Sequence, residues 1–217
     1  MLPSIFADNA SAFLREVVAG PGHASVAVGF GLALAIQTMA SASGSRAAVL
    51  LWVREAAAVA ETGAAYGPGL AALGLSPDHL IIVEARTPVE ALRAALEGAR
   101  CAALSVVILE TAAPIDLTVS RRLKLAAEKS GVAIILIRLG GHVAPNAAQT
   151  RWCVQAAPQS VMPDGTQRAT FQSIVLKSSS GLDGRTCIVE WDHARRCFMQ
   201  TLSVPMDAVP VIGSLAA

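Results

Sequence analysis

A glycine-rich turn with the sequence GPGHASVA occupies residues 20–27 and leads into a long apolar segment. A phosphate-binding loop has a glycine, four further residues, and then Gly-Lys-Ser or Gly-Lys-Thr. Counted from Gly20, the last three positions of that pattern hold Ser25, Val26 and Ala27. The lysine that would contact the terminal phosphates is a valine, and the hydroxyl that would bind magnesium is an alanine. Because such charge-neutralising groups carry most of the catalysis in phosphoryl transfer, we predict no ATPase activity, no catalytic residue and no cofactor.

Few other residues have a spacing that indicates chemistry. The four histidines form no nucleophile–base pattern, and no Cys/His spacing matches a zinc site, so no metal is predicted. Glu110 is the acidic residue that ends the apolar run LSVVILE. Without the lysine, no cation that it would hold is evident.

Five residues are candidates for contact with a partner protein or with DNA. Arg121, Arg122 and Lys124 lie early in a predicted helix, where Arg121 and Lys124 share a face and Arg122 points aside. The alternative for these three is a solvated helix face, with Leu123 and Leu125 on the buried side. Arg151 and Trp152 begin a predicted strand whose alternation sends them to opposite faces. The alternative for Trp152 is a core aromatic residue.

The elements that would position these residues alternate along the chain as βαβ units, which is typical of a parallel sheet with helices on both faces. Thr87-Pro88-Val89-Glu90 has the cap, first-turn proline and third-position glutamate of a helix start, and Gly131 is a typical left-handed helix end. The predicted helices are 25–39, 66–73, 87–99 and 115–130. The predicted parallel strands are 16–19, 47–53, 79–85, 104–110 and 132–139. Three alternating segments, 150–157, 169–178 and 185–192, are predicted to be antiparallel strands that close the sheet, with a hairpin turn at 181–184.

Composition favours one buried α/β domain. Of the 217 residues, 53% are hydrophobic and 15% are charged, against about 25% charged in typical globular domains. The net charge of +1 gives no global basic field that would attract nucleic acid. Residues 17–45 contain no charged side chain apart from His23, but small and polar residues dilute the segment, so a buried core helix is favoured over a membrane span. We expect a single domain over residues 1–203, an irregular tail over residues 204–217, and a cytoplasmic protein with no membrane contact.

Several segments resemble RecA recombinases. Gly20-Pro21 stands where those proteins open their ATP loop, and residues 73–80, LGLSPDHL, resemble the stretch before their next strand. Residues 87–99 followed by SVVILE resemble the helix that leads to the magnesium-associated acid, whose place Glu110 takes. This resemblance implies a RecA-like core in which Thr62 takes the place of the water-activating glutamate.

Four further segments resemble the ImuA family of RecA-related accessory proteins. They are residues 66–75, 116–128, 150–152 and 190–193, and they extend the resemblance over roughly residues 16–198. Members of that family have a longer segment before the first strand than the residues that precede Glu16 here. The resemblance implies a non-catalytic protein of a damage-inducible translesion synthesis complex that binds an ImuB-type Y-family-like protein. Through that complex it would act with an error-prone C-family DNA polymerase, and RecA itself is a further partner by analogy.

Two other functions are left open by the sequence. One is a cell-division inhibitor similar to SulA, a related degenerate RecA-like protein. The other is an ATP- or DNA-binding protein of RecA type, against which the valine at position 26 argues.

Overall fold

The computed structural model describes residues 6, 12–41, 48–140, 144–158, 168–179 and 181–200. They form a nine-stranded sheet with helices on both faces, as the βαβ pattern predicts. The strands are β1 (Leu14–Ala19), β2 (Leu50–Glu55), β3 (Leu80–Ala85), β4 (Val106–Thr111), β5 (Ala133–Arg138), β6 (Thr150–Ala156), β7 (Thr170–Lys177), β8 (Thr186–Asp192) and β9 (Cys197–Gln200). The helices are α1 (Ala24–Ser41), α2 (Ala56–Thr62), α3 (Gly67–Leu73), α4 (Pro88–Arg100) and α5 (Leu117–Ser130).

The strand order across the sheet is β3-β2-β4-β5-β1-β6-β7-β8-β9. Strands β3 to β6 in that order are parallel, and β7, β8 and β9 extend the sheet as antiparallel strands. The mostly parallel sheet with an antiparallel carboxyl-terminal part is therefore confirmed. One detail of the prediction is wrong: β6 pairs in parallel with β1, so the antiparallel part begins at β7.

Two hydrophobic cores lie on opposite faces of the sheet. Helix α1 covers one face, where Phe30, Trp152 and Phe198 form a cluster of aromatic rings. Helices α4 and α5 cover the other face, and their buried positions are mainly small residues such as Ala91 and Ala127. Because helices cover both faces, the interior strands read as continuous apolar runs rather than as alternating patterns.

Helix α1 has the length and apolar composition of a membrane-spanning helix. Eleven of its 18 residues are buried in the domain, including Phe30, Leu34 and Ile36. Gly31 allows the helix to lie close to the sheet, because a Cβ there would approach Ile137 Cδ1 to 2.5 Å. The structure thus accounts for the apolar character of α1 as that of a core helix.

The helix boundaries follow the predicted signals. Thr87 caps α4 by accepting a hydrogen bond from the backbone N–H of Glu90, and Glu90 in turn accepts one from the backbone N–H of Arg86. Gly131 ends α5 with φ of 76°, the left-handed conformation that glycine adopts most readily. The hairpin between β7 and β8 turns at Gly181 and Gly184, both with positive φ.

Three features differ from the sequence-based expectation. Strand β2 begins at Leu50 and continues through Arg54 and Glu55, two residues beyond the predicted end; Ala47 lies outside the described residues. Helix α2 and strand β9 were not predicted. The predicted irregular tail, residues 204–217, also lies outside the described residues, as does the end of the predicted domain.

Candidate functional site

The turn between β1 and α1 is short and closed. Only residues 20–23 separate the strand from the helix, and the backbone N–H of His23 donates to the carbonyl oxygen of Gly20 at 2.9 Å. The Gly20 N–H donates to the carbonyl oxygen of Val154 on β6, so the turn is fixed to the neighbouring strand. Residues 25–27, which would hold the end of a phosphate loop, already belong to α1.

Neighbouring side chains fill the space around this turn. A Cβ on Gly20 would lie 2.5 Å from Cγ of Gln155, whose side chain rests against the glycine. Ala27 is fully buried, Val26 packs at the edge of the core, and Ser25 alone of the three is exposed. A magnesium-binding hydroxyl cannot be supplied by the buried methyl group of Ala27. The residues present therefore do not fit a nucleotide–magnesium complex.

Glu110 is fully buried near the carboxyl end of β4, and its carboxylate is completely engaged. Oε2 accepts hydrogen bonds from Nε of Arg54 at 2.7 Å and from Nε1 of Trp52 at 2.9 Å. Oε1 accepts from Nη2 of Arg54 at 3.1 Å and from the hydroxyl of Thr62 at 2.6 Å. The expectation that Glu110 has no evident cation is wrong, since the Arg54 guanidinium is that cation.

Arg54 is also buried and hydrogen-bonded. It lies beside Glu110 in the register of β2 and β4, is 1% exposed, and its Cζ sits 4.4 Å from the centre of the Trp52 ring. Its Nη2 also donates to the carbonyl oxygen of Gly63 at 2.8 Å. The position that the sequence assigns to an active-site acid thus holds an internal, hydrogen-bonded ion pair. In this arrangement the carboxylate has no open side for a metal ion or for a water molecule.

A second buried network lies on the opposite face of the sheet, around Glu16. Its carboxylate accepts hydrogen bonds from Nε of Arg151 and from Nδ2 of Asn146, and Nη1 of Arg138 lies 3.7 Å away. Burial lowers the pKa of Arg138; the Glu16 charge opposes this shift and the Arg151 charge adds to it. The network joins the middle of β1, the carboxyl end of β5 and the amino end of β6.

Arg151 and Trp152 are therefore not surface contacts, and their assignment to a partner or DNA interface is wrong. Arg151 is 9% exposed and forms the Glu16 ion pair, and Trp152 is 0% exposed in the aromatic cluster under α1. Alternation does send them to opposite faces of β6, but helices cover both faces of this sheet. The core alternative for Trp152 is the correct one.

The three basic residues of α5 are placed differently from one another. Arg121 and Arg122 are exposed, whereas Lys124 is half-buried and lies 3.5 Å from Glu128. Arg122 faces the seam between α4 and α5, beside Leu96 and Leu123. Leu125 is 65% exposed, so its predicted place on the buried side of α5 is wrong. The spacing already argues against that place, because residues two apart on a helix do not share a face.

Thiol and metal chemistry receive no support from the described residues. Burial raises the pKa of Cys153, Cys187 and Cys197, which keeps these thiols protonated. Cys101 is exposed and free. Within the described part of the chain, no three His, Cys, Asp or Glu side chains come together as a metal site would require.

The fold and the closed site define the class of protein: an α/β domain with a mostly parallel sheet, antiparallel strands at its carboxyl-terminal end, and a buried arginine bound to Glu110. Part of the chain is similar in sequence to ImuA. It is 34% identical over 116 residues to Protein ImuA of Caulobacter vibrioides strain NA1000 / CB15N, and the same figures hold for strain ATCC 19089 / CIP 103742 / CB 15. The alignment covers 49% of this chain and 47% of each relative, so the chain spans about half the length of the curated relatives it matches.

The crystal structure of SulA from Pseudomonas aeruginosa is similar with a TM-score of 0.44 and 19% identity, covering 64% of this chain and 100% of that one. No protein-family model matches the chain.

Proposed function

We propose that this protein is a non-catalytic accessory subunit of a DNA-damage-inducible translesion synthesis complex. It acts in the cytoplasm by binding other proteins, first an ImuB-type Y-family-like protein and, through that protein, an error-prone polymerase. RecA is a second partner in this proposal. The RecA-like domain serves as a docking scaffold rather than as an ATPase.

The observation that carries this proposal is the ion pair between Arg54 and Glu110. A working nucleotide site needs an acid that is free to hold magnesium and a loop that is open to phosphate. Here the acid is neutralised from within the protein, and Gln155 fills the space beside the loop. The similarity to ImuA then supports the choice of a lesion-bypass complex over other binding roles.

The edge of the sheet supports a docking role as well. Strand β3 is an outer strand, and its Ile81 and Ile82 are 48% and 39% exposed, although they point to opposite faces. An exposed apolar edge strand can accept an extended segment of a partner as an additional strand. We assign this edge to an extended segment of the ImuB-type protein.

Two measurements on the purified chain test the proposal together. Calorimetric titration with ATP and magnesium is expected to give no binding, and co-expression with an ImuB-type protein is expected to give a stable complex. The Ile81→Lys/Ile82→Lys variant should lose that complex. Arg121→Glu, an exposed charge change on helix α5 rather than on β3, is the control and should keep it. Tight ATP binding with turnover would instead restore the enzyme hypothesis, and co-purification of a protein of the division septum would favour the division-inhibitor hypothesis.

A further inference from the structure

A long surface groove follows the seam between α4 and α5. A depression of about 820 Å³ lies toward the carboxyl ends of the two helices, and one of about 200 Å³ lies toward their amino ends. Leu96 and Arg122 line both depressions, which makes them one continuous feature. We call this feature the α4–α5 groove. It is on the face of the sheet opposite α1 and is separate from the Arg54–Glu110 pair.

Apolar side chains form the floor of the α4–α5 groove. Leu92 and Leu96 of α4 and Ala126 of α5 are half-buried along it. Leu125 also lines the larger depression and Val89 the smaller one, with 65% and 56% of their surfaces exposed. Large exposed aliphatic side chains beside a concave surface are typical of a protein-binding site.

Basic side chains form the rim of the groove. Arg93, Arg100, Arg122 and Lys129 line it, and among the described residues that line it none is acidic. Arg100 is engaged by Glu97 at 2.7 Å, but no ion pair with Arg93, Arg122 or Lys129 is formed within the described residues. The whole chain has a net charge of only +1, so this positive charge is local to the groove.

We propose that the α4–α5 groove binds an acidic amphipathic helix of a partner protein. The apolar face of that helix would cover Leu96 and Leu125, and its acidic flanks would pair with Arg122 and Lys129. Helix α5 has 14 residues, which corresponds to about 21 Å at 1.5 Å per residue, so the ligand is about 14 residues long. The inference rests on the proposed function only in treating the chain as a binding protein.

Two other occupants fit the groove less well. A nucleic acid would satisfy the arginines, but its phosphates would also have to approach the apolar floor and lose water there without compensation. A second copy of the chain would have to offer a negatively charged face, and the net charge of +1 gives no general excess of such surface. The combination of an apolar floor with a basic rim favours the acidic helix.

The test is fluorescence anisotropy with a labelled helical peptide of about 14 residues. The peptide carries leucines at positions i, i+3, i+4 and i+7 and glutamates on the flanking positions. Peptides in which lysine replaces glutamate, or serine replaces leucine, are its controls. We expect saturable binding of the acidic peptide, weakened at least about tenfold by either control change.

Matched variants of the protein locate the binding. Arg122→Glu and Leu125→Ser should each weaken peptide binding about tenfold or more, because one reverses a rim charge and the other removes an apolar floor contact. Arg121→Glu makes the same charge change one residue earlier, at an exposed position outside the groove, and should change the affinity less than about twofold. All three positions are exposed, and equal urea midpoints would confirm that folding is unaffected.

Three results would overturn the proposal. An equal loss of peptide affinity in Arg122→Glu and Arg121→Glu would mean that the general charge of the surface, and not the groove, determines binding. Binding of a labelled single-stranded or duplex oligonucleotide that Arg122→Glu abolishes, with no peptide binding, would assign the groove to nucleic acid. Self-association that Leu125→Ser abolishes, again with no peptide binding, would assign it to a second copy. An ATP-binding chain that still binds the peptide would refute the proposed function and leave this inference standing.

Discussion

The Arg54–Glu110 pair makes the strongest prediction about stability. Both side chains are at most 1% exposed, and the Glu110 carboxylate accepts four hydrogen bonds. Glu110→Leu would leave the Arg54 guanidinium buried without its counter-charge. Breaking a buried ion pair from one side costs about 3–5 kcal/mol of unfolding free energy. Arg54→Met, which leaves the carboxylate unpaired, should cost a similar amount.

The double variant Arg54→Met/Glu110→Leu should be more stable than either single variant. Replacing both charges by apolar side chains of similar size is often neutral, because no uncompensated charge remains. Trp52 Nε1 and the Gly63 carbonyl would still lose their partners, at about 1–3 kcal/mol for each buried group left unsatisfied. The double variant should therefore remain less stable than the wild type, and the coupling between the two sites should be about 3 kcal/mol.

Urea unfolding followed by far-UV circular dichroism measures these changes. The exposed pair of Glu97 and Arg100 provides the control, since both side chains are more than half exposed and Glu97→Gln should change stability by less than about 1 kcal/mol. The reasoning is refuted if Glu110→Leu unfolds within about 0.5 kcal/mol of the wild type. It is also refuted if the loss of stability in the double variant equals the sum of the losses in the two single variants. An active-site acid kept for nucleotide chemistry would show the opposite pattern, with altered turnover and little loss of stability.

Two further predictions concern other acidic residues. Asp116→Ala removes the side chain that accepts a hydrogen bond from the Val119 N–H at the start of α5. This change should lower the free energy of unfolding, measured with urea, by about 1 kcal/mol. Asp116→Asn should retain most of that free energy. The backbone N–H of Arg195 is the main cause that holds the pKa of Asp192 below its ordinary value. The ionised form therefore stabilises the fold above the ordinary pKa, and this contribution is lost as pH falls through the lowered one. Asp192→Asn should flatten the stability profile at acidic pH, and an unchanged profile would contradict this.

The helix ends could be predicted because their causes are local. Thr87, Pro88 and Glu90 form the start of α4 from residues within four positions, and Gly131 ends α5 through its own backbone conformation. The central strands could be predicted because long runs of Val, Ile and Leu fit a sheet that is buried on both faces. These signals do not depend on contacts between distant parts of the chain.

The missed elements lack such local signals. Helix α2 follows Glu55 without a side-chain cap, and its apolar residues are mostly alanine. Strand β9 has only four residues, and the turn before it places Arg196 at φ of 52°, where glycine or asparagine would have marked a turn. Strand β2 continues through Arg54 and Glu55 because each meets a partner on β4, and a single strand's sequence does not contain that information.

The same limit explains the errors at the candidate sites. Arg151 looks like a surface contact until the structure brings Glu16 to it from a strand more than 130 residues earlier. Sequence patterns identify which charges a chain carries, but the fold determines which of those charges remain available to a ligand. At the candidate sites, Arg54 and Arg151 already have internal carboxylate partners.

The distribution of ion pairs therefore separates the charged side chains that stabilise the fold from those that are available to a partner. Arg54, Arg138 and Arg151 are all buried beside carboxylates, so their charges contribute to stability and offer little to a ligand. Arg122 and Lys129 have no ion pair among the described residues and lie beside exposed leucine on the helical face. Exposed charge costs nothing to leave unpaired in water, and it gains most when an oppositely charged partner covers the apolar surface beside it. The helical face is accordingly where this domain can gain binding energy without first giving up its own stability.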